Sequence, residues 1–190
     1  MKFLFRKNGQ YICTMPEEPD FVERIKNAYA REEVPAKTLL VKEGTSPKKM
    51  FYIDQGCCRC WFNNDGVEVT FQFLFEGSFA SAYETIISGE PSWFSIETLE
   101  PAVIYSIPLE RFKAARENSP MAMAAYVNYV EQRLMQFQKL FVAHIKDSPE
   151  QRYKELLANR PEIVRRIPQH YIASFLGITS VSLSRIRNRK

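Results

Sequence analysis

Three of the four cysteines, Cys57, Cys58 and Cys60, fall together in GCCRCW, while Cys13 lies far upstream. A structural zinc site draws on two separated pairs of ligands with a short gap inside each, and no second pair is present. In an extended strand Cys58 and Cys60 share one face and Cys57 takes the other. The segment reads as buried thiols in a reducing compartment, and no metal is assigned.

A second group of residues stands at the end of the chain, in YIASFLGITSVSLSRIRNRK (Tyr171–Lys190). Ile172, Ala173 and Leu176 give one short helix an inward face, and small Ala173 permits close approach of a second helix. Gly177 sits where the chain must turn, because a positive φ is cheapest for glycine. Ile178 plugs the corner. Thr179 or Ser180 caps the next helix, whose Leu183 and Ile186 return to the core. This leaves Ser180, Val181, Ser184 and Arg185 outward at the N-terminal end of that helix, the part that reaches base edges in a helix-turn-helix. A guanidinium such as that of Arg185 can donate two hydrogen bonds to guanine. Ser182, Arg187, Arg189 and Lys190 are placed for phosphates, and Gln169 and His170, opening the first helix, join the DNA-facing set.

The charge distribution agrees. Residues 1–116 carry 14 Lys/Arg against 16 Asp/Glu, residues 117–190 carry 12 against 6, and from Arg165 onward six bases meet no acid. A near-neutral body with a basic end is the layout of a nucleic-acid binder. The 190 residues, 45% of them apolar, are ordinary for a globular protein of one large or two small domains. No run approaches the roughly 18 apolar residues of a membrane span, and MKFLFRKNGQ lacks the form of a signal peptide. A soluble, cytoplasmic protein with no membrane partner is expected.

Other elements must position that basic end. PDFVERIKNAYA predicts a short helix capped by Asp20. From Glu33 to about Arg111, short apolar or alternating runs separated by turn signals predict a β-sandwich or β-roll, with NNDG (Asn63–Gly66) as a hairpin turn. SIETLEPAVIYSIP supplies one or two further strands and LERFKAARENSP a short helix. A long helix then runs from Ser119 to about Lys146. Met123, Val127, Val130, Leu134, Phe137, Phe141 and His144 recur in it at alternating spacings of four and three, a heptad stripe. Tyr126, Tyr129, Leu140 and Ile145 widen it, as suits a helix packed both on its own domain and on a twin, and a homodimer is expected. Asp147 or Ser148 caps the following helix, with Pro149 first and Glu150 completing its start. Pro161 breaks it.

Together LLVKEGTSPKKMFYIDQGCCRCWFNNDGVEVTFQFLFEGSF, SIETLEPAVIYSIPLERF and IPQHYIASFLGITSVSLSRIRNRK resemble the roll strands, the strand and helix before the dimer helix, and the reading head of the Crp/Fnr superfamily of bacterial transcription regulators. The resemblance covers most of the chain from about Val34. It implies an α+β chain: an antiparallel β-roll or jelly-roll sensor at 1–116, a dimerisation helix at 117–146 and a helix-turn-helix domain at 147–190. It implies a homodimer bound to double-stranded DNA and working with RNA polymerase, and no enzymatic activity. Ser180, Val181 and Arg185 fall where the family reads bases, and Thr179 and Ser182 where it touches phosphates. The resemblance also places a ligand pocket around Phe73, Gly77, Ser78, Phe79, Ala80, Pro91 and Ser92.

That pocket departs from the family pattern. Where the cyclic-nucleotide cassette has Gly-Glu to hold the ribose and Arg-Ser to neutralise the phosphate, this chain has Gly77-Ser78 and Pro91-Ser92. No Lys or Arg lies between Arg59 and Arg111. A buried phosphate without a cation lacks the bonds that offset its desolvation, so cyclic AMP is not expected as effector and no cofactor is assigned. CCRC with distant Cys13 does not supply iron–sulfur ligands, and residues 1–143 contain no histidine for haem or for a metal-dependent cupin enzyme. The family's wing after the recognition helix has no counterpart in these residues. The alternative reading is a cyclic-nucleotide or other small-ligand binding module whose helical C-terminus makes protein contacts instead of reading DNA.

Overall fold

The computed structural model describes residues 19–188. Helix α1 (Pro19–Ala28) enters a pair of four-stranded antiparallel sheets. Cys13, Arg189 and Lys190, and the side chain of Asp20, lie outside the described part of the chain. The first sheet has the order β1 (Ala30–Val34), β8 (Ala102–Pro108), β3 (Lys49–Gln55), β6 (Phe79–Ala80). The second has β2 (Leu39–Val41), β7 (Ser95–Thr98), β4 (Cys58–Asn64), β5 (Val67–Leu74). SIETLEPAVIYSIP thus resolves into two strands, one in each sheet.

Alternation along each strand decides what the sheets enclose. Ile53, Cys58, Cys60, Leu74, Ala80 and Ile96 meet in the interior, with Phe51, Phe71 and Phe94 packed against them. Phe71 and Phe94 stand edge to face at 5.1 Å. Met50 and Tyr52, offset by one residue from Phe51 and Ile53, face the other side of the first sheet. Tyr52 there meets Phe79 at 5.5 Å and Tyr105 at 6.5 Å.

The hairpin between β4 and β5 turns through Asp65 (φ 49°) and Gly66 (φ 88°). Positive φ at both central residues matches the right-handed twist of the flanking strands. The Asn63 Oδ1 accepts the Gly66 amide at 2.9 Å and ties off the turn. Cys57, Cys58 and Cys60 are free thiols buried in this unit. Burial raises the Cys58 pKa well above its ordinary value, so the thiol stays protonated and inert. Cys57 precedes the strand instead of alternating within it.

The rest is helical: α2 (Tyr83–Ser88), α3 (Leu109–Asn118), α4 (Pro120–Lys146), α5 (Pro149–Asn159), α6 (Pro161–Arg166), α7 (Gln169–Phe175) and α8 (Ser180–Asn188). Described residues up to Tyr129 form one compact unit and those from Val130 another. Ser148, not Asp147, caps α5, and its box partner is Gln151, not Glu150. The Ser148 Oγ accepts the Gln151 amide at 3.3 Å while Gln151 Oε1 accepts the Ser148 amide at 2.8 Å. Position, not charge, decides this, because only the third helical residue reaches back to the cap. Among the described residues no helix is long and apolar enough to cross a membrane.

Candidate nucleic-acid interface and ligand cassette

Helices α7 and α8 are joined by a glycine turn. Gly177 has φ +68°, its amide donates to the Ser174 carbonyl at 2.9 Å, and the Ile178 amide donates to the Ala173 carbonyl at 3.0 Å. These two bonds form a Schellman motif, which satisfies carbonyls the end of α7 would otherwise leave unpaired. Thr179, not Ser180, caps α8: its Oγ1 accepts the Ser182 amide at 3.2 Å. Ser180 is the first helical residue.

Ile172, Ala173, Leu176 and Leu183 are each no more than 2% exposed, and Ile186 is half-buried. The second unit therefore has a small apolar core that fixes the orientation of α8. On the other side Ser180, Val181, Ser184, Arg185 and Arg187 are exposed, as are Thr179, Gln169 and His170. Ser182 is half-buried, and its Oγ lies 3.0 Å from Thr179 Oγ1, so these two hydroxyls engage each other. His170 packs on Tyr171 at 3.9 Å between ring centroids.

One side chain joins the end of α4 to this pair. The Arg152 guanidinium donates to the carbonyls of His144 (3.2 Å), Asp147 (2.7 Å) and Leu176 (2.7 Å). Nothing in the local pattern of α5 announces this role, because two of its three acceptors lie on other elements.

Along α4, Met123, Val127, Leu134, Phe137 and Phe141 are exposed, and Val130 is half-buried. Met135, Val142 and Ile145 add to the exposed apolar surface. Tyr129 is buried, so the first turns of the helix also pack on their own unit.

The residues anticipated as a ligand pocket differ in what they face. Ala80 lies in the interior core. Phe79 meets Tyr52 and Tyr129 on the outer side of the first sheet. Phe73 pairs with Arg59, one residue out of phase with the inward Cys58 and Leu74. The amides of Gly77 and Ser78 are spent on the carbonyls of Ile53 (2.9 Å) and Phe75 (3.1 Å). Pro91 is exposed, whereas Ser92 is buried.

At the end of the cassette the donors are already occupied. Glu84 Oε1 accepts the Trp93 amide at 2.9 Å and lies 2.9 Å from Ser92 Oγ. The Ser92 amide donates to Thr45, and its carbonyl accepts from Gly44. A carboxylate of the chain itself thus accepts from this amide and engages this hydroxyl. Sequence reasoning missed Glu84; an acid in the first turn of a helix ending in a glycine cap was the available signal.

Arg59, the cation nearest this segment in sequence, is engaged by other side chains. It is 2% exposed and held by Glu97 at 2.6 Å, by Glu68 and by Thr70 at 3.3 Å. Lys37 reaches the same Glu97 oxygen at 3.1 Å. A buried guanidinium with this many acceptors is a structural ion pair, costly to break.

Residues 31–119 match the family model of the cyclic nucleotide-binding domain. No curated protein matches the chain. The fold is similar to that of CLP, a c-di-GMP-responsive global regulator of Xanthomonas campestris, with a TM-score of 0.72, 16% identity and 89% of each chain covered. It is similar to FixK2 of Bradyrhizobium japonicum, with a TM-score of 0.72, 13% identity, and 84% of this chain and 83% of that one covered. It is also similar to a protein from Eubacterium rectale described as a Crp/Fnr transcriptional regulator, with a TM-score of 0.67, 16% identity, and 86% and 79% covered. The chain therefore has the fold of the Crp/Fnr regulators, with residues 31–119 similar to the cyclic nucleotide-binding domain and a helical C-terminus that fits a helix-turn-helix.

Proposed function

We propose that the chain is a homodimeric transcription regulator that binds double-stranded DNA through α8 and is not controlled by cyclic AMP. The observation that carries this reading is the outer face of α8: Ser180, Val181, Ser184 and Arg185 exposed on a helix anchored by Leu183. Among the described residues neither Arg185 nor Arg187 makes an ion pair, which leaves both guanidiniums for nucleic acid. In this reading Arg185 reads a guanine, Ser180 and Val181 face base edges, and Arg187 meets phosphate with Gln169, His170 and Ser182 alongside.

The exposed stripe of α4 supports a seam with a second copy, since an isolated monomer gains nothing by presenting Leu134, Phe137 and Phe141 to water. Residues 1–116 then serve as sensor, 117–146 as dimerisation helix and 147–190 as DNA-binding domain, with RNA polymerase the further partner. The regulator acts in the cytoplasm and catalyses no reaction. Glu84 on Ser92 and Trp93 supports a cassette satisfied without a cyclic phosphate.

The test is selection of bound duplexes from a random DNA pool, followed by titration of the winning site at several salt concentrations. Binding is expected to weaken steeply with salt through counterion release. Arg185→Ala is expected to reduce discrimination between sites by about ten- to a hundredfold, more than it reduces general affinity. A protein that ignores duplex DNA at low salt overturns the proposal.

A further inference from the structure

The outer side of the first sheet holds a cavity of about 350 Å³ beneath α1, α3 and the first turns of α4. Met50, Phe79, Ile86, Ile107 and Phe112 form its apolar wall. This is not the roll interior, because Met50 alternates with the inward-facing Phe51, and Ala80, not Phe79, belongs to the interior core.

The charge of the lining is one-sided. Among the described residues its only ionic side chains are Arg24 and Arg116, with no acidic residue. Arg116 makes no ion pair among the described residues, and its Nε is buried with no hydrogen-bond partner. Its guanidinium carbon lies 5.0 Å from the centroid of Tyr126. Tyr83 stacks on the same Tyr126 ring at 6.2 Å, and its hydroxyl is likewise buried. Burial, with Tyr126 adjacent, holds the Tyr83 phenol well above its ordinary pKa, so it remains a neutral donor. A buried guanidinium Nε with no acceptor, at the edge of an apolar cavity, carries a desolvation cost that an anionic acceptor removes.

We infer that this cavity binds a small amphipathic carboxylate, its head on Arg116 Nε and the Tyr83 hydroxyl and its hydrocarbon against Met50, Phe79, Ile107 and Phe112. The volume suits a medium-chain fatty acid or an aromatic acid of about ten to fourteen heavy atoms. Met121, Ala122, Ala125, Tyr126 and Tyr129 of α4 line the same cavity, so an occupant contacts the helix proposed as the dimer seam. The site itself does not depend on DNA binding: a chain that ignored DNA would still bind the acid.

The experiment titrates full-length protein with decanoate and with decan-1-ol, read by calorimetry and by thermal stability. Decanoate is expected to bind saturably and raise Tm with concentration, and decan-1-ol to bind at least tenfold more weakly. Arg116→Gln is expected to remove most of that preference, with circular dichroism checking that it folds. Ala125→Met, which takes up cavity volume, is expected to weaken both ligands together, with circular dichroism checking that it folds. Equal affinity for acid and alcohol, full decanoate affinity in Arg116→Gln, or no saturable binding up to about 1 mM each overturns the inference.

Discussion

Arg152 Nη2 donates to the carbonyl oxygen of Leu176 at 2.7 Å, while Nη1 reaches the carbonyls of Asp147 and His144. The planar fork bonds the end of α4 and the end of α7 at once, which a point charge on a flexible stem cannot do. Arg152→Met is therefore expected to lower the stability of the C-terminal unit by about 2 kcal/mol, and Arg152→Lys to recover only part of that. Urea unfolding followed by helical circular dichroism checks it; a lysine variant as stable as the parent would show that charge alone suffices.

Gly177 carries the turn between α7 and α8 at φ +68°, and a Cβ there would stand 3.4 Å from His144 Nε2. Gly177→Ala is expected to cost about 1 kcal/mol from backbone strain. The same substitution at a helix interior would have the opposite sign. Comparison of denaturation midpoints measures it.

In the cassette, Glu84 holds the Ser92–Trp93 segment. Cyclic AMP at about 1 mM is expected to leave Tm unchanged, whereas a shift of several degrees would mean that the ligand displaces Glu84. Glu84→Ala frees the two donors and is expected to increase protease cleavage near exposed Trp93. Limited proteolysis of the two proteins side by side reads this out.

The exposed stripe of α4 makes a separate prediction. Leu134→Glu with Phe141→Glu is expected to shift the protein from dimer to monomer in sedimentation, while the fold of the roll persists. A parent that sediments as a monomer at micromolar concentration removes the basis for the seam.

His144 is held below its ordinary 6.5, first by burial and then by the charge of Arg152. The unfolded chain takes up this proton near its ordinary value, the folded chain only at lower pH, so the unfolded state binds more protons in between and stability rises with pH. The contribution is complete above about pH 6.5 and is lost as pH falls through the folded value. Denaturation midpoints at about pH 7.5 and pH 5.5 are expected to differ less in His144→Gln than in the parent.

Residues could be placed from sequence alone wherever the interaction spans a few positions. Asn63–Gly66 announced its hairpin, Pro149 after Asp147 or Ser148 the start of α5, and Gly177 before Thr179 or Ser180 the helix pair, because turns and caps are closed by neighbouring groups. Strand and helix periodicity likewise separated the β-rich part from the helical end, and the resemblance to the Crp/Fnr fold followed from their order. Only the tertiary structure decided how distant side chains spend their charge. Arg59 pairs with Glu97 across two strands, Glu84 accepts from Ser92 and Trp93, Arg152 joins α4 to α7, and among the described residues Arg116 meets no acid. These contacts depend on strand register and on which face each bulge and turn presents, quantities set by the packing of the whole unit and not by any local run of residues.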